Sequence, residues 1–314
     1  PAARKYASIA PASAHALHMP SHIFTRLGLW EECIASNLAS VNAAKCYAEA
    51  AGIKGHWDEE LHGLDYLVYA YLQKGENDSA KRQVDYLASI KQVYPVNFKV
   101  AYAFAAIPAR FALENRLWRQ ASALKITPAI VPWKEYPWQE AIIHFTRLLG
   151  SVQINKLIEA KEELTILNKL HDTLVNKDPY QANQVAIQIH SGQAWIKFKE
   201  GNKAEALNQM SIAADLEDKT GKHPVTPGEV IPARELLGNL LLELNEPAKA
   251  LSAFELTLKS HANRFNTLYN AGLAAEKSGN REKATLYYGK LLAITGKSAT
   301  RRDEIARARE FLRQ

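Results

Sequence analysis

Three histidines near the start of the chain have the types and spacing to do chemistry. His15, His18 and His22 stand three and four residues apart, the intervals that put side chains on one face of an α-helix. Imidazoles so placed can converge on one ion or one acidic group. His62 and Asp65 repeat the three-residue interval further on. Together the five residues form a candidate site for a divalent transition metal with a mixed nitrogen and oxygen shell: zinc, copper, nickel or iron. Asp65 has a second role open to it, holding the non-ligating nitrogen of an imidazole. The same histidines, helped by Arg26 and Arg110, also suit a peptide carboxylate or an acidic side chain of a partner. A third reading leaves them hydrogen-bonded between two helices with no ligand. Other chemistry is missing: there is no glycine-rich phosphate loop, no His-Glu-x-x-His and no Gly-x-Ser-x-Gly. No catalytic residue is assigned, and binding is favoured over enzymatic turnover.

The elements that must position these residues come from an internal repeat. Gly28-Leu-Trp30-Glu-Glu-Cys33 compares with Gly75-Glu-Asn-Asp-Ser-Ala80, Gly201-Asn-Lys-Ala-Glu-Ala206 and Gly279-Asn-Arg-Glu-Lys-Ala284. Weaker copies are Asn245-Glu-Pro-Ala-Lys-Ala250 and Arg116-Leu-Trp118-Arg-Gln-Ala121. Each sets a turn residue, able to adopt positive φ, five places before a small residue that lets two antiparallel helices approach. The pattern resembles the tetratricopeptide (TPR) repeat, a helix-turn-helix unit of about 34 residues. Asn245 to Gly279 and Arg116 to Gly150 are each 34 residues, and the other intervals are longer. The excess falls in turn-rich segments, where a solenoid tolerates insertion. Gly150 anchors the poorest copy, because the helix after it starts several residues late. The expected architecture is an all-α, TPR-like solenoid, a right-handed superhelix of about seven helix pairs forming one domain over 1–314. A charged capping helix is expected over 303–313.

In TPR repeats generally, the second, fifth and ninth residues of the first helix line a concave groove, and the eighth is small where the helices cross. Counting back from each turn places Ser21, Ala109, Ala194, Gly238 and Gly272 at the eighth position. The same register puts His15, His18, His22 and Arg26 on the groove, then His62, Asp65 and Tyr69, then Arg110. Glu140 and His144 follow, then Gln188 and Trp195, then Glu235 and Asn239. Pro20 sits inside the first of these helices and is expected to kink it, turning the histidine segment toward its neighbour. Cys33 stands at a crossing position and reads as buried rather than reactive. The pairs Glu162-Glu163 and Arg301-Arg302 read as solvated faces. His223-Pro-Val-Thr-Pro-Gly-Glu-Val-Ile-Pro232 is a stiffened segment, either a ligand lip or an ordered connection.

Composition bounds the partners. The 314 residues carry a net charge of +6, but the 39 Lys and Arg are scattered along the chain, so nucleic acid is not expected. No apolar run is long enough to cross a membrane. Cys33 and Cys46 are too few for a disulfide framework. The chain starts at Pro1 with no initiator methionine, and upstream protein is expected to be missing.

Two stretches resemble a family of bacterial TPR-containing proteins about twice this length. They are His15-Ala-Leu-His18-Met-Pro20-Ser-His22-Ile-Phe, continuing to Trp30, and Lys222-His-Pro-Val-Thr-Pro-Gly228 through Pro232-Ala-Arg-Glu-Leu-Leu-Gly238, followed by Asn263-Arg264-Phe265. The resemblance runs along nearly the whole chain. It implies an all-helical TPR fold and further groove histidines upstream, and lends no catalytic residues. Some members look exported, so the compartment stays open between periplasm and cytoplasm. The expected role is a scaffold that captures a protein, a peptide or a small anionic ligand in its groove, with a metal-binding protein or metal-dependent enzyme as the alternative.

Overall fold

The computed structural model describes residues 2–6, 9–296 and 302–314. Among these the regular elements are helices apart from two short strands, β1 (His56–Trp57) and β2 (Val93–Tyr94), which pair in parallel. After α1 (Ala2–Tyr6), the first arm of the first hairpin is α2 (Ala14–His18) plus α3 (Pro20–Leu27), and its second arm is α4 (Trp30–Ala50). Then come α5 (Asp58–Gln73) with α6 (Asn77–Ser89), and α7 (Phe98–Glu114) with the stunted α8 (Trp118–Ser122). The series continues with α9 (Pro137–Gln153) and α10 (Leu157–Leu174), then α11 (Pro179–Lys199) and α12 (Lys203–Lys219). It ends with α13 (Ala233–Glu243) and α14 (Pro247–Ser260), then α15 (Phe265–Lys277) and α16 (Arg281–Thr295). Consecutive helices pack on each other throughout, and α17 (Asp303–Phe311) covers α16. This is an all-α, TPR-like solenoid.

The hairpins form for a local reason. Each turn holds one residue in the left-handed region: Gly28, Gly75, Arg116, Asn155, Gly201, Asn245 and Gly279. Five places after each stands Cys33, Ala80, Ala121, Ala160, Ala206, Ala250 or Ala284, all with no exposed surface. The fourth anchor is therefore Asn155 and not Gly150, which lies inside α9. Gly150 is needed for packing instead, since a Cβ there would lie 2.3 Å from the Ser122 backbone nitrogen. Side-chain caps start several helices; Asn97 Oδ1 accepts from the Lys99 and Val100 amides at α7.

Pro20 breaks the first arm rather than bending it: α2 stops at His18 and Pro20 is the first residue of α3, where its missing N–H costs nothing. His18 is turned inward and buried. Pro108, in contrast, lies within an uninterrupted α7.

The superhelix closes on itself. The Trp30 indole donates to the Asn263 carbonyl (2.8 Å), Asn263 Nδ2 donates to the Gly28 carbonyl (3.3 Å), and the Phe265 amide donates to Gln73 Oε1 (3.0 Å). Gly28 is required here twice over. Its φ is +65°, and a Cβ would sit 2.4 Å from the Ala262 carbonyl oxygen. Arg302 joins the seam too. It is buried, with its guanidinium 3.8 Å above the Phe265 ring and bonded to Asn266 Oδ1 (3.1 Å). The expected solvated face at this arginine is thus corrected by a contact between distant repeats; Arg301 lies outside the described residues.

Candidate functional site

His18, His22 and His62 meet where α2 and α3 face α5. Their ligand atoms lie within 4.8 Å of one another, and among the described residues no other three His, Cys, Asp or Glu side chains converge in this way. His18 Nε2 is 3.0 Å from His22 Nε2, and the His18 and His62 ring centroids are 4.2 Å apart. Asn37 fixes the His18 ring. Its Nδ2 donates to the Cys33 carbonyl (2.7 Å), so its Oδ1 faces His18 and accepts from Nδ1–H (2.7 Å). Tyr66, one turn beyond His62, brings its hydroxyl 3.0 Å from His22 Nδ1 and 3.1 Å from the Val225 carbonyl. Burial, then the neighbouring His22, pushes the His18 pKa down to about 3; burial and His18 hold His62 well below its usual value. His22, half-buried, is lowered by burial and by Arg26. All three rings are neutral near pH 7. His15 stays out of the cluster; it is exposed on α2, with Nδ1 3.8 Å from Glu59.

Asp65 also lies apart from the histidines. It pairs with Arg110, whose Nη2 donates to the Tyr102 hydroxyl (3.2 Å) and to the Gly228 carbonyl (2.7 Å). Burial raises the Asp65 pKa to about 6 against the pull of Arg110. Tyr69 and Glu235 belong to the same buried interior. Arg264 Nη1 donates to Tyr69 Oη (3.1 Å), Nε to Glu235 (3.0 Å) and Nη2 to Glu114 (2.6 Å). Asp65, Tyr69 and Arg110 thus face inward together against the closing repeats and not against solvent, and Glu235 joins them from the edge of a cavity. Arg26 is exposed beside the cluster. His144 is buried between Glu163, in direct contact, and Glu140 (3.7 Å). These bonds outweigh burial and raise its pKa. Glu163, read from sequence as a solvated face, is drawn to His144 by that contact.

Segment 222–232 covers the histidine end of the inner face. Tyr102 Oη donates to the Gly228 carbonyl (3.0 Å), His223 stacks on Phe98 with centroids 4.9 Å apart, and Glu229 meets His261 Nε2 at 2.8 Å. It is an ordered connection that seals the histidines from one side.

Beyond it lies a cavity of about 500 Å³ among α7, α9, α11, α13 and α15. Trp195, Glu235 and Asn239 line it, with Asn270, Arg116 and Gln153. Asn270 Nδ2 donates to Asn239 Oδ1 (2.9 Å), and Arg116 Nη2 reaches Asn270 Oδ1 (3.4 Å). Sequence reasoning passed over Asn37, Tyr66, Arg264 and Asn270. Tyr66 was accessible as the residue one helical turn after His62. Asn37 bonds His18 within the first hairpin, and Arg264 and Asn270 depend on which hairpins face each other across the closed superhelix.

No protein-family model matches this chain, and no curated protein matches it by sequence. Among solved structures, a tetratricopeptide repeat protein from Parabacteroides merdae is 13% identical with a TM-score of 0.45, covering 96% of this chain and 97% of its own. The P58(IPK) TPR domain gives 12% identity and a TM-score of 0.33, covering 99% and 82%. The APC/C hetero-tetramer Cut9-Hcn1 gives 12% and 0.33, covering 100% and 58%. The seven left-handed turns and the helix packing of the chain itself carry the fold assignment.

Proposed function

We propose that the protein is a helical-repeat scaffold that captures a short polar peptide segment in the cavity of its inner face. The carrying observation is that the side-chain amides of Asn239 and Asn270, on successive first helices, meet in one cavity of about 500 Å³. A carboxamide offers a donor and an acceptor together, which matches the backbone of an extended peptide. The volume falls in the range of sites that enclose a small ligand or a few residues of a longer one. Trp195 and Trp118 add apolar walls, and the charged lining residues carry both signs, Arg116 and Lys277 with Glu235 and Glu243, which suits a polar peptide of mixed charge. The deeper inner face is already taken by the protein's own ion pairs, which supports a confined site over a continuous groove.

A displayed library of short random peptides, panned on the full chain, tests this. Selected peptides are expected to weaken by about tenfold on an Asn239→Ala, Asn270→Ala double variant, the worth of one or two hydrogen bonds. They should keep their affinity for a His15→Ala control. Peptides that bind the double variant equally well, or panning that enriches nothing, refute the reading.

A further inference from the structure

The His22 ring stands between two polar groups, His18 Nε2 on one side and the Tyr66 hydroxyl on the other. His18 must give its Nδ1 proton to Asn37, because Asn37 spends its own donor on the Cys33 carbonyl. That leaves His18 Nε2 as a bare acceptor aimed at His22 Nε2, 3.0 Å away. The Tyr66 hydroxyl lies within hydrogen-bond distance of both His22 Nδ1 and the Val225 carbonyl. The one proton of neutral His22 serves one side only: on Nε2 it meets His18 and leaves Tyr66 to divide its own proton between His22 Nδ1 and Val225, and on Nδ1 it serves Tyr66 and leaves two bare Nε2 atoms facing each other at 3.0 Å. A cation beside both Nε2 atoms suits the second arrangement. His22 Nδ1–H can then donate to Tyr66 Oη, Tyr66 O–H to the Val225 carbonyl, and both Nε2 lone pairs are free for the ion. A proton could play that part only by charging a ring among other imidazoles in a largely buried place, where its solvation is lost.

We propose that His18, His22 and His62 bind one divalent transition ion of the imidazole-preferring kind, Zn²⁺ being the reference, between the first hairpin and α5. A tetrahedral site with zinc–nitrogen bonds of about 2.0–2.1 Å sets its nitrogens roughly 3.3 Å apart. The ligand atoms here, 3.0 Å apart for one pair and within 4.8 Å for all, reach that arrangement by small ring rotations. Asn37 and Tyr66 are the outer groups that orient two of the three rings, as metal-bound histidines require. Asp65 is held by Arg110, so the shell is all nitrogen before solvent adds a fourth ligand. Such a shell selects zinc or copper and rejects calcium and magnesium, which take oxygen. The half-buried His22 edge is the way in. This inference is independent of the peptide cavity, with which the three histidines share no lining residue.

The test is titration of the chelator-stripped full chain with Co²⁺, followed by displacement with Zn²⁺. Expected is one Co²⁺ per chain with the intense visible absorption of a four-coordinate site, displaced by Zn²⁺ and unmoved by Ca²⁺. His22→Ala and His62→Ala should lose the stoichiometric ion. Tyr66→Phe should weaken binding by about tenfold, and His15→Ala should change nothing. Because His62 is buried, helical circular dichroism accompanies each titration, and the half-buried His22 variant decides if the His62 variant does not fold. Wild-type protein that takes up neither Co²⁺ nor Zn²⁺ overturns the proposal. Uptake that survives His22→Ala, or that Ca²⁺ displaces, overturns it equally.

Discussion

Arg264→Met asks whether charge holds the closed superhelix together. Methionine preserves most of the side-chain volume, so the packing loss is small and the electrostatic loss dominates. The wild-type guanidinium is fully buried and spans the seam, bonding Glu235 on α13, Glu114 at the end of α7 and Tyr69 on α5. Burial alone would lower its pKa, but Glu114 and Glu235 outweigh that and raise it well above its usual value. Removing the cation leaves two buried carboxylates without their shared partner, which costs about 3–5 kcal/mol. Against a total of roughly 5–15 kcal/mol for a folded domain, that is a large share. Urea unfolding followed by circular dichroism measures it, and amide exchange over residues 28–30 and 261–266 reports whether the seam opens first. The companion variant is Arg264→Met with Glu114→Gln and Glu235→Gln, in which no charge is stranded. It should recover at least about 2 kcal/mol of the loss, since neutral replacement of a whole buried network is often tolerated. A single variant that costs less than about 1 kcal/mol, or a triple variant no more stable than the single one, refutes the reasoning.

Two further outcomes follow from buried titratable groups. His18 and His62 have folded pKa values below 6.5, near 3 for His18, so below pH 6.5 the unfolded chain takes protons that the fold refuses. Stability of metal-free protein should therefore fall as pH drops from 6.5 toward 3, by about 1.4 kcal/mol per pH unit for each such group; equal urea midpoints at about pH 7 and about pH 5 contradict this. Glu217 is buried, accepts the Ala233 amide at 2.8 Å, and is pushed well above its usual pKa by burial and by Glu229. Its charged form opposes folding above the usual carboxylate pKa, so Glu217→Gln, which keeps the acceptor, should stabilise by about 1 kcal/mol or more at neutral pH; thermal melting that drops instead of rising shows the reading to be wrong.

The repeat architecture was legible in the sequence because it is written in local signals. A residue tolerant of positive φ, then a small residue one and a half turns later, specifies a hairpin with no reference to the rest of the chain. The misplaced anchor shows the same rule: Asn155 with Ala160 fits it, while Gly150 drew attention by being glycine and by standing 34 residues after Arg116. The histidine cluster was half legible. The 3- and 4-residue intervals put His18 and His22 on one face, and His62 joined through the neighbouring hairpin. His15 and Asp65 had equally good spacing and went elsewhere. Helical periodicity fixes a face but not how far along the axis a neighbour contacts it. His15 lies a turn short of the contact, and Asp65 was claimed by Arg110, a competition between distant residues that no spacing records.

The closed superhelix explains why inner-face positions of equivalent register divide into two kinds. Where a later hairpin comes round to face an earlier one, a charged residue at a groove position is desolvated and survives only with a partner of opposite sign, as Arg110 does with Asp65 and Arg264 with Glu114 and Glu235. Where the facing hairpins leave space between them, polar residues such as Asn239 and Asn270 line a cavity. Position in the repeat therefore says which side chains point inward, and the closure decides which of those can meet a ligand. Lengthening a connection costs little in loop entropy, so the long 220–232 segment can reach inward, where Tyr66, Tyr102 and Arg110 hold its carbonyls. Those three donors come from α5 and α7, two hairpins far from it in sequence. The same segment touches both candidate sites, through the Val225 carbonyl at Tyr66 and through Ile231 in the cavity wall.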